Sequence, residues 1–247
     1  WLAGDRFNRL AFDGTIGSAL DLYEKHEESP FHKLKPGSRI PYSVYLGRLR
    51  NHIGAVHVAT ATGLDAMGWW RVWSEGGRKL AAGGMALAVL KEALKFGFTC
   101  GHDPCHKLLL HLRELSFPKP RPREHVLTAE QVIAARQAAH ANKRPSRALC
   151  YALQFETTLR QWDVIGQWYP LDYPLTSDVL GPRGKWHGLR WTNIDEDMIL
   201  RYRPSKTDKT TGAEIVVDLK LCPMVIEELE RIPIDERVGP AIVNAAT

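Results

Sequence analysis

The sequence predicts a mainly α protein of two domains, an all-α domain followed by an α+β domain with a small antiparallel sheet. Three observations carry this expectation. Apolar residues recur at helical spacing through successive segments as far as Leu115. A proline-rich basic strap, Phe117 to Arg123, then interrupts the chain. Beyond it, helical segments give way to two β-rich runs flanking a polar turn.

In order, residues 1–29 show weak periodicity and are expected to be a partly ordered lead-in. A helical domain spans 30–116. In its first helix, Ser38 to Ile53, the apolar positions Ile40, Val44, Leu46, Leu49 and Ile53 recur, while Arg39, Arg48 and Arg50 lie mostly off that stripe. Thr62-Gly63-Leu64-Asp65 has the form of a capping box and opens a second helix through Trp73. Trp69, Trp70 and Trp73 suit either a stacking surface for nucleic acid or a core. The i, i+4 spacing of Trp69 and Trp73 favours the core. Gly76-Gly77 ends that helix, and further helices follow from Lys79 to Phe96 and from Asp103 to Leu115. The segment 117–127 is a linker whose alternating prolines favour an extended strap carrying Lys119, Arg121 and Arg123. The second domain, 128–247, begins with the capping pattern Thr128-Ala129-Glu130-Gln131 and a helix to Ala141. Helices from Ser146 and from Arg160 to Trp168 follow. Tyr169 to Lys185, rich in Pro, Gly and Asp, reads as an exposed loop. Ile199–Arg203 and Ala213–Leu219 form a hairpin around Lys206 to Gly212, and Pro223 to Arg231 is helical.

Composition narrows the class. With 44% hydrophobic residues among 247, the chain can bury a core. No run approaches the roughly 18 apolar residues of a membrane helix, and no signal-peptide pattern opens the chain. Trp1 in place of Met suggests a fragment. Four scattered cysteines fit a reducing compartment. Cys100, His102, Cys105 and His106 cluster, but zinc requires a second ligand pair at matching spacing, so the expectation is no metal and no cofactor. Charge is uneven. Through Leu127 there are 18 Lys+Arg and 12 Asp+Glu, hence 18 − 12 = +6, and the remainder has 15 − 16 = −1. A basic first half suits a polyanion, although a solvated basic surface has the same composition.

The chemistry concentrates in Thr157-Thr158-Leu159-Arg160-Gln161-Trp162-Asp163-Val164. Arg160 follows a helix break among apolar residues and is expected to be buried, where it needs an anion. Asp163, three residues on, can orient it. Lys206 and Lys209 stand in the hairpin turn. A structural Arg–Asp pair and ordinary turn cations are the plain alternatives.

Taken with Leu127-Thr128-Ala129-Glu130-Gln131, with Leu189-Arg190-Trp191-Thr192-Asn193-Ile194-Asp195 and with Ser205-Lys206-Thr207, this order of motifs resembles the phage-integrase branch of the tyrosine recombinases from about Pro30 onward. The resemblance implies a core-binding domain, a basic linker and a truncated catalytic domain acting in site-specific DNA integration or excision. It implies that Arg160 holds non-bridging phosphate oxygens, that Asp163 positions it, and that Lys206, with Lys209 as fallback, protonates the leaving 5′-oxygen. Arg39, Arg48, Arg50, Lys119, Arg121, Arg123 and Lys209 are the expected DNA contacts. Duplex DNA is the implied partner, with self-association on DNA as a tetramer, in a bacterial or phage cytoplasm at the nucleoid. This sequence departs from the family pattern at Thr158, where Gly is usual, at Asp163, where Glu is usual, and in the extra residues between Trp168 and Leu189. His187-Gly188-Leu189-Arg190 is not the family's His-x-x-Arg box, because it precedes the hairpin lysine. No tyrosine follows Tyr202, so the chain by itself is expected to lack the nucleophile and to be inactive in cleavage. Two other readings remain open: a catalytically inactive DNA-binding regulator with this fold, and a helical protein-interaction scaffold.

Overall fold

The structure is a computed structural model that describes residues 12–122, 124–182, 184–204 and 212–243. Two compact units, Trp1–Pro122 and Arg123–Thr247, divide the chain.

The first unit holds α1 (Ile16–Lys25), α2 (Pro36–Ile53), α3 (Gly63–Trp73), α4 (Leu80–Thr99) and α5 (Asp103–Glu114), with a short 3-10 turn at Pro30–Lys33. Helix α4 is the hub and packs against α1, α2, α3 and α5. Its sequence explains this role: it is apolar on most sides, so it must be covered nearly all round. Its small residues permit close approach. A Cβ at Gly83 would meet the Trp70 ring at 2.9 Å, and one at Gly97 would meet Cys105 Sγ at 2.8 Å. Leu20, Tyr23, Leu46, Leu49, Leu90, Leu94, Leu108 and Leu112 fill the centre.

Helix α1 lies where a lead-in was expected. Ile16, Ala19, Leu20 and Tyr23 are buried at helical spacing, and Thr15 caps the first turn by accepting from Ser18 N. The apolar stripe is only two turns long, so its periodicity is weak in sequence although its burial is complete. In α2 the expected stripe divides. Leu46, Leu49 and Ile53 are buried, whereas Ile40 and Val44 face outward. Trp69, Trp70 and Trp73 all pack against the core, half-buried, and Trp73 Nε1 donates to His52 Nδ1 at 3.0 Å. His102 and His106 stack on Phe12 and Phe98, and no group of three metal-ligating side chains occurs among the described residues.

The second unit begins with α6 (Ala129–Ala141), opened by the reciprocal Thr128–Gln131 capping box, and α7 (Pro145–Thr157). Next come α8 (Gln161–Ile165), β1 (Gln167–Tyr169), β2 (Leu180–Gly181), β3 (Gly184–His187), β4 (Ile199–Tyr202), β5 (Ile215–Asp218) and α9 (Pro223–Leu229). Helix α7 packs between α6 and α9. Strands β4 and β5 pair antiparallel, Ile199 with Asp218 through Tyr202 with Ile215, as the hairpin expectation required. A buried charge network ties α6 to α9. Arg136 Nε donates to Glu228 Oε1 at 2.8 Å, Arg136 Nη2 donates to Glu227 Oε2 at 2.8 Å, and His140 Nε2 meets Glu228 Oε2 at 2.7 Å. Glu156 closes the start of α9, its carboxylate accepting from Met224 N and Val225 N.

Two expectations for this unit are corrected. The helix beginning at Arg160 ends at Ile165 rather than Trp168, because Gly166 turns the chain at φ 77° and the Trp186 ring lies directly over its Cα. The supposed loop Tyr169 to Lys185 belongs in part to a three-stranded antiparallel sheet in the order β1-β3-β2, with Trp168 opposite Trp186. Tryptophan rings seated on glycines build this sheet despite the prolines between its strands, Trp186 against Gly166 and Trp168 against Gly181.

Candidate nucleic-acid interface

The second unit presents one arginine at a helix break. Helix α7 stops at Thr157, whose hydroxyl donates back to Leu153 O. Thr158 then adopts the left-handed conformation, φ 56° and ψ 14°. A β-branched residue reaches this region only with strain, which the surrounding fold must offset. The left-handed residue reverses the chain, so that Arg160 becomes the N-cap of α8 and Asp163 falls in its first turn.

The two side chains differ in environment. Asp163 is buried, whereas the Arg160 side chain is 51% exposed, and Arg160 Nη1 stands 3.9 Å from Asp163 Oδ2. The expectation of a buried Arg160 is thus corrected: the acid is inside and the guanidinium reaches out. Asp163 is held on both sides. Its N–H donates to Arg160 O and its carbonyl accepts from Leu189 N, each at 2.9 Å. Across from it stands Tyr202, at the end of β4. Burial pushes the Tyr202 hydroxyl well above the ordinary phenol range, and the nearby Asp163 charge adds to the shift. The arrangement presents a cation with donor capacity to spare, backed by a buried carboxylate, which is a geometry that holds an oxyanion.

Lys206, Lys209 and Arg123 lie outside the described residues. Of the other expected contacts, Arg48 is exposed and lies 5.2 Å from the Tyr45 ring centre, and Lys119 and Arg121 are exposed. Arg39 Nη2 donates to His32 O at 2.6 Å. Arg50 is engaged within its own unit, by Asp21 at 2.8 Å and Glu24 at 2.5 Å, and so braces α2 against α1.

Two groups escaped the sequence reading. Lys91 on α4 and Arg113 on α5 line one groove with Lys119, and burial, with Arg113 adding, holds the Lys91 amine below its usual range. Helix packing alone brings these cations together, so sequence spacing carries no signal of it. The other is the pairing of Arg190 with Asp178 through two guanidinium nitrogens. It joins the three-stranded sheet's loop to the strand entry, and the nearest signal was the excess of residues between Trp168 and Leu189.

No protein-family model matches the chain, and no curated protein matches it in sequence. Solved structures do match it. A lambda integrase tetramer bound to a Holliday junction superposes over 94% of this chain and 60% of its own, with TM-score 0.65 and 18% identity. A lambda integrase dimer bound to a COC′ core site superposes over 88% and 53%, with TM-score 0.62 and 20% identity. A lambda integrase(75-356) dimer, also bound to a COC′ core site, covers 88% and 68%, with TM-score 0.62 and 19% identity. The fold is thus integrase-like, mainly helical with small antiparallel sheets, and the chain spans 53% to 68% of the length of these integrase chains.

Proposed function

We propose that this chain is the DNA-binding portion of a tyrosine-type site-specific recombinase. In this reading the first unit and the strap around 117–127 act as a core-binding domain and basic linker, and the second unit is a partial catalytic domain. The carrying observation is Arg160, half-exposed at a strained helix break and backed by the buried Asp163, within an integrase-like fold. Arg160 would grip the non-bridging oxygens of a phosphodiester, with Asp163 positioning it and Lys206 supplying the proton to the leaving 5′-oxygen. Arg39, Arg48, Lys119, Arg121, Arg123 and Lys209 would neutralise flanking phosphates, and further copies would assemble on the same DNA. Arg50, already answered by two carboxylates, is assigned to the fold instead.

Binding of a labelled duplex, followed by anisotropy across salt concentrations, tests this reading. Several neutralised phosphates give a steep loss of affinity, with a log–log slope of roughly −0.9 per phosphate. A flat slope, or no binding at low salt, favours a protein-interaction scaffold. On a nicked suicide substrate the chain should form no covalent adduct, because cations stabilise a transition state without supplying the attacking oxygen. A trapped adduct would assign the nucleophile to Tyr202 or an earlier tyrosine.

A further inference from the structure

The three-stranded sheet β1-β3-β2 stands beside a cleft of about 370 Å³ whose lining includes Asp178, His187, Arg190, Tyr202 and Arg203. Among the described residues Asp178 is the only carboxylate in that lining, against two arginines and a histidine. The cleft adjoins the Arg160 turn. Tyr202 lines it and faces Asp163, and the residue after Gly188, Leu189, donates its N–H to Asp163 O.

We propose, resting on the DNA-binding reading above, that this cleft is a second phosphate site, in which the Asp178 carboxylate holds the place of a DNA phosphate while the protein is free. Arg190 meets Asp178 with both terminal nitrogens, the fork geometry by which a guanidinium takes two oxygens of a phosphodiester. The Arg190 backbone is fixed independently of that pair, its N–H donating to Asn193 Oδ1 at 2.9 Å. Arg203, exposed at the end of β4, has no ion pair among the described residues. Asp178 is bracketed on both sides. Ser177 Oγ donates to Trp186 O, and Trp186 N donates to Val179 O at 2.9 Å. Its backbone is therefore set, and only the side chain must turn to release Arg190. That side chain is 70% exposed, so water can solvate the freed carboxylate at little cost. An incoming phosphate would displace it and gain both arginines.

The test is anisotropy of a labelled short duplex with the full chain, in native form and as Asp178→Asn, Asp178→Ser and Arg203→Gln, with a thermal melt of each. Removing the competing carboxylate should tighten binding about twofold to fivefold, the range of an exposed ion pair. Arg203→Gln should weaken binding and make the salt slope shallower by about one. Asp178 variants that fold and bind no more tightly than native protein overturn the proposal, while native binding at low salt keeps the DNA reading in place. If native protein binds no duplex, that reading falls, and inorganic phosphate then probes the cleft through the Arg190 guanidinium resonance. A larger shift in Asp178→Asn than in native protein upholds the site, and no shift in either overturns it.

Discussion

Arg136 and Arg160 belong to the same unit and each meets an acid, yet the two regions handle the charge in opposite ways. Arg136 is 7% exposed and contacts Glu228 at 2.7 Å and Glu227 at 2.8 Å, with His140 taking the other oxygen of Glu228. Arg136 and both glutamates have partners in the fold, with Arg136 and Glu228 buried and Glu227 at the surface. At Arg160 only the acid is inside, the separation is 3.9 Å, and the guanidinium is left half in water. A buried, fully paired cation holds elements together, whereas a cation placed at a strained turn and left underpaired can take a further anion. The sequence shows an arginine in both places. Only the geometry separates the brace from the candidate grip.

The largest effect expected from this comparison lies at the brace. Arg136→Ala leaves Glu228 buried and without its arginine, which costs about 3–5 kcal/mol in stability. Urea denaturation of the full chain measures this, with the loss confined to the transition that reports the second unit. Replacing both charges, as Arg136→Met with Glu228→Gln, should recover part of the loss, since a neutral pair no longer buries an unanswered charge. A loss below about 1 kcal/mol for Arg136→Ala would place the pair with surface ion pairs and erase the contrast.

A smaller effect, of opposite sign, is expected at Thr158. Its φ of 56° strains a β-branched side chain at an exposed position. Thr158→Gly removes that strain but adds freedom to the unfolded chain, for a net gain of roughly 0.5–1 kcal/mol. A higher melting temperature with DNA affinity unchanged would show that the backbone path, not the threonine, sets Arg160. Lower stability would mean that the Thr158 side chain makes a contribution larger than its strain.

Much of the helical framework was legible. Helix limits near Ile53, Trp73, Glu114 and Ala141 follow from periodicity and from capping signals such as Thr62-x-x-Asp65 and Thr128-x-x-Gln131. The β4–β5 hairpin followed from β-branched runs around a polar turn. Other features were not legible, for physical reasons. Helix α1 buries a stripe too short to register as periodic. The β1-β3-β2 sheet rests on Trp186 packing against Gly166 and Trp168 against Gly181 across a segment rich in turn residues, where local propensity signals a loop and long-range packing prevails. At the site, the adjacency of Arg160 and Asp163 was readable from their spacing. Which of the two would be buried was not, because it depends on Tyr202 and Leu189 arriving from far along the chain.

The smallest expected effect on stability is the most discriminating. Arg160 is half-exposed and at 3.9 Å from its acid is beyond hydrogen-bonding distance, so its pair ranks with surface ion pairs. Arg160→Ala should therefore change stability by no more than about 0.5 kcal/mol. If Arg160 grips a phosphate, the same substitution should make the salt slope of duplex binding shallower by about one and weaken binding across sequences alike, because a phosphate contact carries no base information. Arg136→Ala is the opposite control: it lowers stability strongly and, at temperatures where the chain stays folded, leaves the slope unchanged. Equilibrium denaturation and anisotropy on the same two variants decide the matter. Should Arg160→Ala destabilise the unit by several kcal/mol, Arg160 is a second brace, and the half-exposed guanidinium has a structural partner rather than a substrate. Should it leave both stability and slope untouched, the cationic grip lies elsewhere, and the groove of Lys91, Arg113 and Lys119 in the first unit becomes the stronger candidate.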